Sequence, residues 1–241
     1  MSRSIRPGRT APILPLVLAW LLTAAPGLHA EMVLDRSILV FDGDDAGRQD
    51  VEVTNTGAEN LYLDTEILRV TDPGTEQEAR VEVEDPGAAG LLVTPARMVV
   101  PPEGRRLVRV VPLEERGETD RIYRVNLLPV VPPLTAETTA VKVVVAYQLL
   151  VILRPRDPQP DLVWTRDGDR IRFRNQGNTN VLLYNGSQCP EGIEPGSEEC
   201  VDIGVARRLY AGNEWELDLP LAAPVEFTAT VGKRNVRRRF D

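Results

Sequence analysis

Beyond residue 30 the chain shows no sustained 3.6-residue apolar period, and this constrains its fold more than any other feature. In place of that period stand short runs rich in Val, Ile, Leu and Thr: 50-DVEVTN-55, 61-LYLDTEIL-68, 80-RVEVE-84, 106-RLVRVVP-112 and 121-RIYRVNLLPV-130. Between them fall 55-NTG-57, 72-DPG-74, 85-DPG-87 and 101-PPEG-104, each supplying the Gly, Pro, Asn or Asp that a tight turn requires. Many short alternating strands with such turns specify an all-β chain of antiparallel sandwiches rather than a parallel sheet.

The pattern breaks at 154-RPRDPQP-160, where three prolines in seven residues remove backbone donors and oppose further pairing. Strand-like sequence then resumes. The stretch 161-DLVWTRDGDRIRFRN-175 reads as a hairpin turning at 167-DG-168, followed by 180-NVLLYNG-186, 214-EWELDLP-220 and 224-PVEFTATVGKRNVRRRF-240. The expected division is residues 1–30, a first domain over 31–153, a linker over 154–160 and a second β-sandwich over 161–241. No internal repeat stands out.

Residues 1–30 have the build of a secretory signal: Arg3, Arg6 and Arg9, then the apolar 11-APILPLVLAWLLTAA-25, then Leu28-His29-Ala30 as a cleavage tripeptide. The apolar block is shorter than the ~20 residues of a span and is interrupted by prolines, so export without membrane insertion is expected. Cleavage would remove the sole histidine, His29, and leave 25 cations against 36 carboxylates, a balance of −11. So acidic a chain has no general attraction to nucleic acid or anionic lipid. The basic 233-KRNVRRR-239 reads as the solvated face of a terminal strand, with a partner-docking patch as the alternative.

Cys189 and Cys200 enclose ten residues in the exported part, and an even count there favours a structural disulfide. Two thiols without histidine make a poor metal site, because structural zinc takes four N or S ligands. Histidine-based triads and metal sites are excluded for the mature chain. Asp42, Asp44, Asp45, Glu82 and Glu84 could be nominated as an acid pair, but carboxylates on turns and strand faces serve solvation. No phosphate loop, cofactor site or metal site is expected, and the chain does not read as an enzyme.

The most apolar stretch after the signal is 139-TAVKVVVAYQLLVILRP-155. Laid out as a strand, one face carries Val141, Val143, Val145, Tyr147, Leu149, Val151 and Leu153. The other carries Lys142, Val144, Ala146, Gln148, Leu150, Ile152 and Arg154. Lys142 and Arg154 enclose only 11 residues, too few to cross a membrane. A core strand explains residues 147–153, apolar on both faces, better than it explains 141-VKVVVAY-147, which continues from the polar 134-LTAETTA-140.

Several segments resemble the periplasmic chaperones of the chaperone–usher pilus pathway, the PapD-like proteins. They are 33-VLDRSILVFDGDDAGRQDVEVTN-55, 92-LVTPARMVVPPEGRRLVRVVP-112, 120-DRIYRVNLLPVVPP-133 and the apolar strand with its terminal Arg-Pro. The resemblance spans residues 31–155; 207-RRLYAGNEWELDLP-220 and the disulfide loop are less specific. It implies two immunoglobulin-like β-sandwich domains, a periplasmic location, and pilus subunits and an outer-membrane usher as partners. It further implies that the chaperone lends a strand to a subunit lacking one, with Val141, Val143 and Val145 at the donor positions. Main-chain pairing would set the register and the valines would fill the subunit's groove. An exposed apolar edge of this kind also invites self-association.

One departure stands out. The family carries an arginine in the first strand and a lysine in the lending strand that hold the subunit's terminal carboxylate. The matching positions here are Ile38 and Leu150, which cannot bind an anion. Either Arg36 and Gln148, two residues away along the same strands, form a displaced anchor, or the subunit is held by strand addition and apolar contact alone. A secreted or surface-associated adhesive or structural β-sandwich accounts equally for export, disulfide and turns. It leaves the donor-like pattern without a purpose.

Overall fold

The computed structural model describes residues 32–43, 47–130, 145–232 and 234–241. Its first half contains strands β1 (Met32–Leu34), β2 (Ile38–Phe41), β3 (Gln49–Asn55), β4 (Leu61–Thr71) and β5 (Ala79–Glu82). After a single helical turn, α1 (Pro86–Ala89), come β6 (Leu91–Thr94), β7 (Arg97–Val100), β8 (Arg105–Pro112), β9 (Arg121–Pro129) and β10 (Tyr147–Leu153). One sheet has the order β1-β3-β8-β6. The other runs β2-β10-β9-β4-β5, with β7 also on β4. Alternate residues of both sheets point inward, among them Val51, Val53, Val108, Val110, Tyr123, Val125, Leu149 and Val151, all fully buried.

The second half contains β11 (Leu162–Asp167), β12 (Arg170–Asn175), β13 (Val181–Gln188), β14 (Val201–Ile203), β15 (Arg207–Leu209), β16 (Glu214–Asp218), β17 (Val225–Val231) and β18 (Arg234–Phe240). Sheets β11-β12-β16 and β14-β13-β17-β18, with β15 on β13, enclose a core built on aromatic rings. Phe173 stacks on Trp215 at 5.6 Å and meets Phe227 and Phe240 edge-on at 5.8 and 4.9 Å. The opposite face of β12 is an arginine ladder whose members pair with Asp218, Glu216 and Glu214, their register partners on β16. Exposed pairs contribute little stability each, yet they disfavour a slipped register. The hairpin expected at Gly168 forms, whereas residues 224–240 fold back at Gly232 into two strands. The short strands β14 and β15 are too brief to leave a periodic signal.

The two sandwiches share a corner device. Asn55, ending β3, is buried; its Nδ2 donates to the carbonyls of Glu59 and Val100, and its Oδ1 accepts from the Gly57 amide. Asn175, ending β12, does the same with Thr179, Leu209 and Gly177. Each Asn-x-Gly thereby satisfies three backbone groups where its strand turns away from the sheet. At Gly177 a Cβ would fall 2.1 Å from the Gln159 carbonyl oxygen, so no other residue fits.

Cys189 and Cys200 form a disulfide with Cα atoms 4.2 Å apart. Residues 154–161 link the last strand of one half to the first of the other, and Arg154 within them is buried. Strand β18 is exposed along Arg234–Arg239, and its arginines face solvent or pair locally, as Arg237 does with Glu226. Lys233 and residues 1–31 lie outside the described residues, the expected cleavage site among them.

Asn175→Ala would leave two carbonyls and an amide without partners and is expected to cost on the order of 3 kcal/mol. Urea unfolding followed by tryptophan fluorescence reads this directly, since Trp164 and Trp215 both belong to the second sandwich.

Candidate functional site

Strand β10 pairs antiparallel with β9 along its whole length, Tyr147↔Leu127 to Leu153↔Arg121. Its other edge pairs parallel with β2 only from Leu150↔Ile38 to Leu153↔Phe41. Among the described strands, Tyr147, Gln148 and Leu149 therefore have no partner on that side. An unpaired backbone edge is a template for a further strand. The chain leads into this edge from residues 141–145. Val141 and Val143 lie outside the described residues; Val145 is 45% exposed.

From Leu149 to Leu153 every residue of β10 is buried. Leu149, Val151 and Leu153 fill the first sandwich. Leu150 and Ile152 face the other way, where they join Val70, Ile122 and Tyr210. Tyr210 belongs to the second half, so the continuous apolar run is explained by two different cores, one on each face of one strand. Burial pushes the Tyr210 phenol above its ordinary pKa, which keeps it neutral.

Polar contacts fix the two halves around this cluster. The Asp120 carboxylate, just ahead of β9, accepts from Thr179 Oγ1 at 2.9 Å, the Asn180 amide at 2.7 Å and Asn180 Nδ2 at 2.6 Å. Asn213 donates to the Pro73 carbonyl and Arg207 to that of Gly74, both in the β4–β5 turn. Glu78 braces this turn by accepting from the Gly74 amide at 2.9 Å, with Arg80 beside it at 2.9 Å. Those two hydrogen bonds, the Gly74 amide first, hold the Glu78 carboxyl below its ordinary pKa despite an opposing contribution from burial. On the far side, Arg154 is 3.7 Å from Asp42, while Arg116 donates to the carbonyls of Phe41 and Asp42. Gly232 holds φ +63° with its Cβ direction 3.1 Å from Arg154 Nη1, so the β17–β18 turn presses on that arginine.

Ile38 and Leu150 are register partners, so the two positions expected to have lost a cation do lie side by side. Ile38 is 46% exposed and Leu150 is buried. Arg36 precedes β2 and pairs with its neighbour Asp35 at 2.8 Å, with its side chain half exposed. Gln148 donates to Asn126 Oδ1 at 2.8 Å and accepts from Arg80 at 3.4 Å; Asn126 in turn donates to Glu66. Gln148, Asn126 and Glu66 are thus one polar row across three strands.

The next row down is Leu150, Arg124 and Leu68. Sequence reasoning passed over Arg124, Arg208, Asp120 and Tyr210. In a period-2 strand an outward arginine looks solvated, and nothing local announces that another domain covers it. Arg208 is largely buried; desolvation draws its pKa down, and Arg154 and Arg124 act on it in the same direction as like charges. Among the described residues no group of three or more His, Cys, Asp or Glu could hold a metal, and no helix is long and apolar enough to span a membrane.

Two sandwiches meeting on the outward face of a strand whose neighbouring edge stays unpaired define a binding module rather than a catalytic cleft. The family described as pili and flagellar-assembly chaperone, PapD N-terminal domain, matches residues 31–159, and the chain belongs to it. That family and fold are non-enzymatic. The chain is 22% identical over 175 residues to a CS1 fimbrial protein of Escherichia coli, covering 69% of this chain and 72% of that protein. Its fold is similar to that of the class 5 fimbriae chaperone CfaA, with TM-score 0.62 and 18% identity over 86% of this chain and 98% of the other. It is also similar to a chain from the complex of the Salmonella enterica SafA pilin with the SafB chaperone, with TM-score 0.58 and 12% identity over 83% and 90% of the two chains.

The Glu78 contribution to stability has a defined sign with pH. A carboxylate whose folded pKa is depressed stabilises above its unfolded value and loses that contribution as pH falls through the folded one. The stability gap between the wild type and Glu78→Gln should be full near neutrality, begin to shrink below the ordinary value of 4.5 and close in stronger acid. Urea melts of both proteins across that range read the gap.

Proposed function

We propose that this chain is a periplasmic pilus-assembly chaperone that holds fimbrial subunits by lending them a strand, then passes them to an outer-membrane usher. The observation that carries this reading is the half-paired β10, whose edge before Leu150 is free on the β2 side and is approached by the alternating Val141, Val143 and Val145. A subunit strand laid on that edge would gain main-chain hydrogen bonds, and its groove would receive the valines, each contributing about 1.5–3 kcal/mol when buried. Family membership supports the reading, as do neighbours whose descriptions name a chaperone–tip adhesin complex and a pilin–chaperone complex. Export by residues 1–30 is the route to the periplasm. Without a client the same edge favours self-association.

Val143→Asp should abolish co-purification of the chain with its fimbrial subunit from a periplasmic extract. A charge in the subunit's apolar groove costs more than the remaining valines supply. Circular dichroism of the purified variant should match the wild type, since the lent segment is not needed for its own sandwich. Undiminished capture would sink strand donation through this segment.

A further inference from the structure

Arg124 is set on the face between the domains without a partner. Its Nε is buried and makes no hydrogen bond, and the side chain enters no hydrogen bond or ion pair among the described residues. The other charges of the region are committed. Arg80 pairs with Glu78, Arg154 with Asp42 and Arg36 with Asp35, and Asp120 is taken up by the Thr179 and Asn180 donors. Arg208 donates to Asn180 Oδ1 and has no carboxylate within 4.0 Å among the described residues. A chain of net charge −8 thus gathers a local surplus of two guanidiniums where two domains exclude water. A guanidinium does not shed its proton, so burial cannot be relieved by neutralisation. An unpaired buried donor is costly, and a cluster of like charges adds to the cost. An incoming anion removes both penalties.

The strand geometry says which anion. Any strand added to the free edge of β10 occupies the line of β2 and must stop where β2 begins, at Ile38, the partner of Leu150. Its end group then lies at the level of the Leu150–Arg124 row. Arg124 stands two strands from that line, about 10 Å, within the span of an extended arginine and one hydrogen bond. A strand running parallel to β10, as β2 does, ends there in an α-carboxylate; one running antiparallel would bring an ammonium against the guanidiniums. We propose that Arg124, assisted by Arg208, binds the C-terminal carboxylate of the client chain and so selects a client strand parallel to β10. The proposal rests on the strand-lending function above. It differs from an anchor at Arg36 and Gln148, both of which already have partners.

The test uses the C-terminal strand peptide of the fimbrial subunit that co-purifies with the chain, made as the free acid and as the C-terminal amide. Wild-type protein should bind the acid about ten-fold or more tighter than the amide, as a charge-assisted pair demands. Arg124→Gln should bring the two forms within about two-fold, while Arg124→Lys, which keeps the charge, should retain most of the preference. Thermal melts of both variants establish that they are folded. Equal binding of acid and amide by the wild type, or a preference that survives Arg124→Gln, would overturn the assignment. Val143→Asp separates the two ideas. Loss of both peptide forms supports strand donation whatever the acid preference, whereas full binding with the acid preference intact would remove strand donation and leave the anion site.

Discussion

The molecule depends on β10 being buried on both faces over Leu149–Leu153. One face completes the first sandwich; the other is covered by Tyr210 and its neighbours, so the strand is shared between two cores. Each of these side chains contributes roughly 1.5–3 kcal/mol on burial, an upper bound given a compact unfolded state. That half of the strand is committed to the protein's own fold. Because β2 is four residues long, it covers only this committed half, and the preceding residues of β10 keep one edge free. A two-sided core and a short neighbouring strand together create a stable platform with an unsatisfied edge.

Around this platform the polar contacts divide into those that hold the domains together and one that does not. Asp120, Asn213 and Arg207 reach across to backbone and side-chain partners. They are directional, so they set the relation of the halves more sharply than Tyr210 packing could. Arg124 sits among them uncommitted. The asymmetry matters because buried polar groups in native proteins are generally satisfied, and one that is not calls for a ligand or a cost.

Much of the fold was legible in the residues. The runs at 50–55, 61–68, 106–112 and 121–130 each fall within an observed strand, because alternation on a half-buried sheet leaves a period-2 trace. The pair Asn55 and Asn175 was visible only as turn chemistry; their equivalence rests on partners such as Val100 and Leu209, 45 and 34 residues away. Strands β14 and β15 escaped notice because three residues carry no period. For the site, the adjacency of Ile38 and Leu150 followed from family resemblance and agrees with their register. The part played by Arg124 did not, since a lone arginine on an alternating strand is indistinguishable from a solvated one.

The sequence by itself determined the class: short alternating strands, a proline-rich break, one disulfide pair, and an apolar segment too short to cross a membrane and too long for one sandwich. Those properties are local, and a linear pattern records them. Only the tertiary structure decided that Leu150 and Ile152 are covered by the second domain, that β2 leaves part of β10 unpaired, and that Arg124 is left without a counter-charge. These depend on contacts between residues as far apart as Ile122 and Tyr210, and on which partners fail to arrive, neither of which is written in the order of residues along the chain.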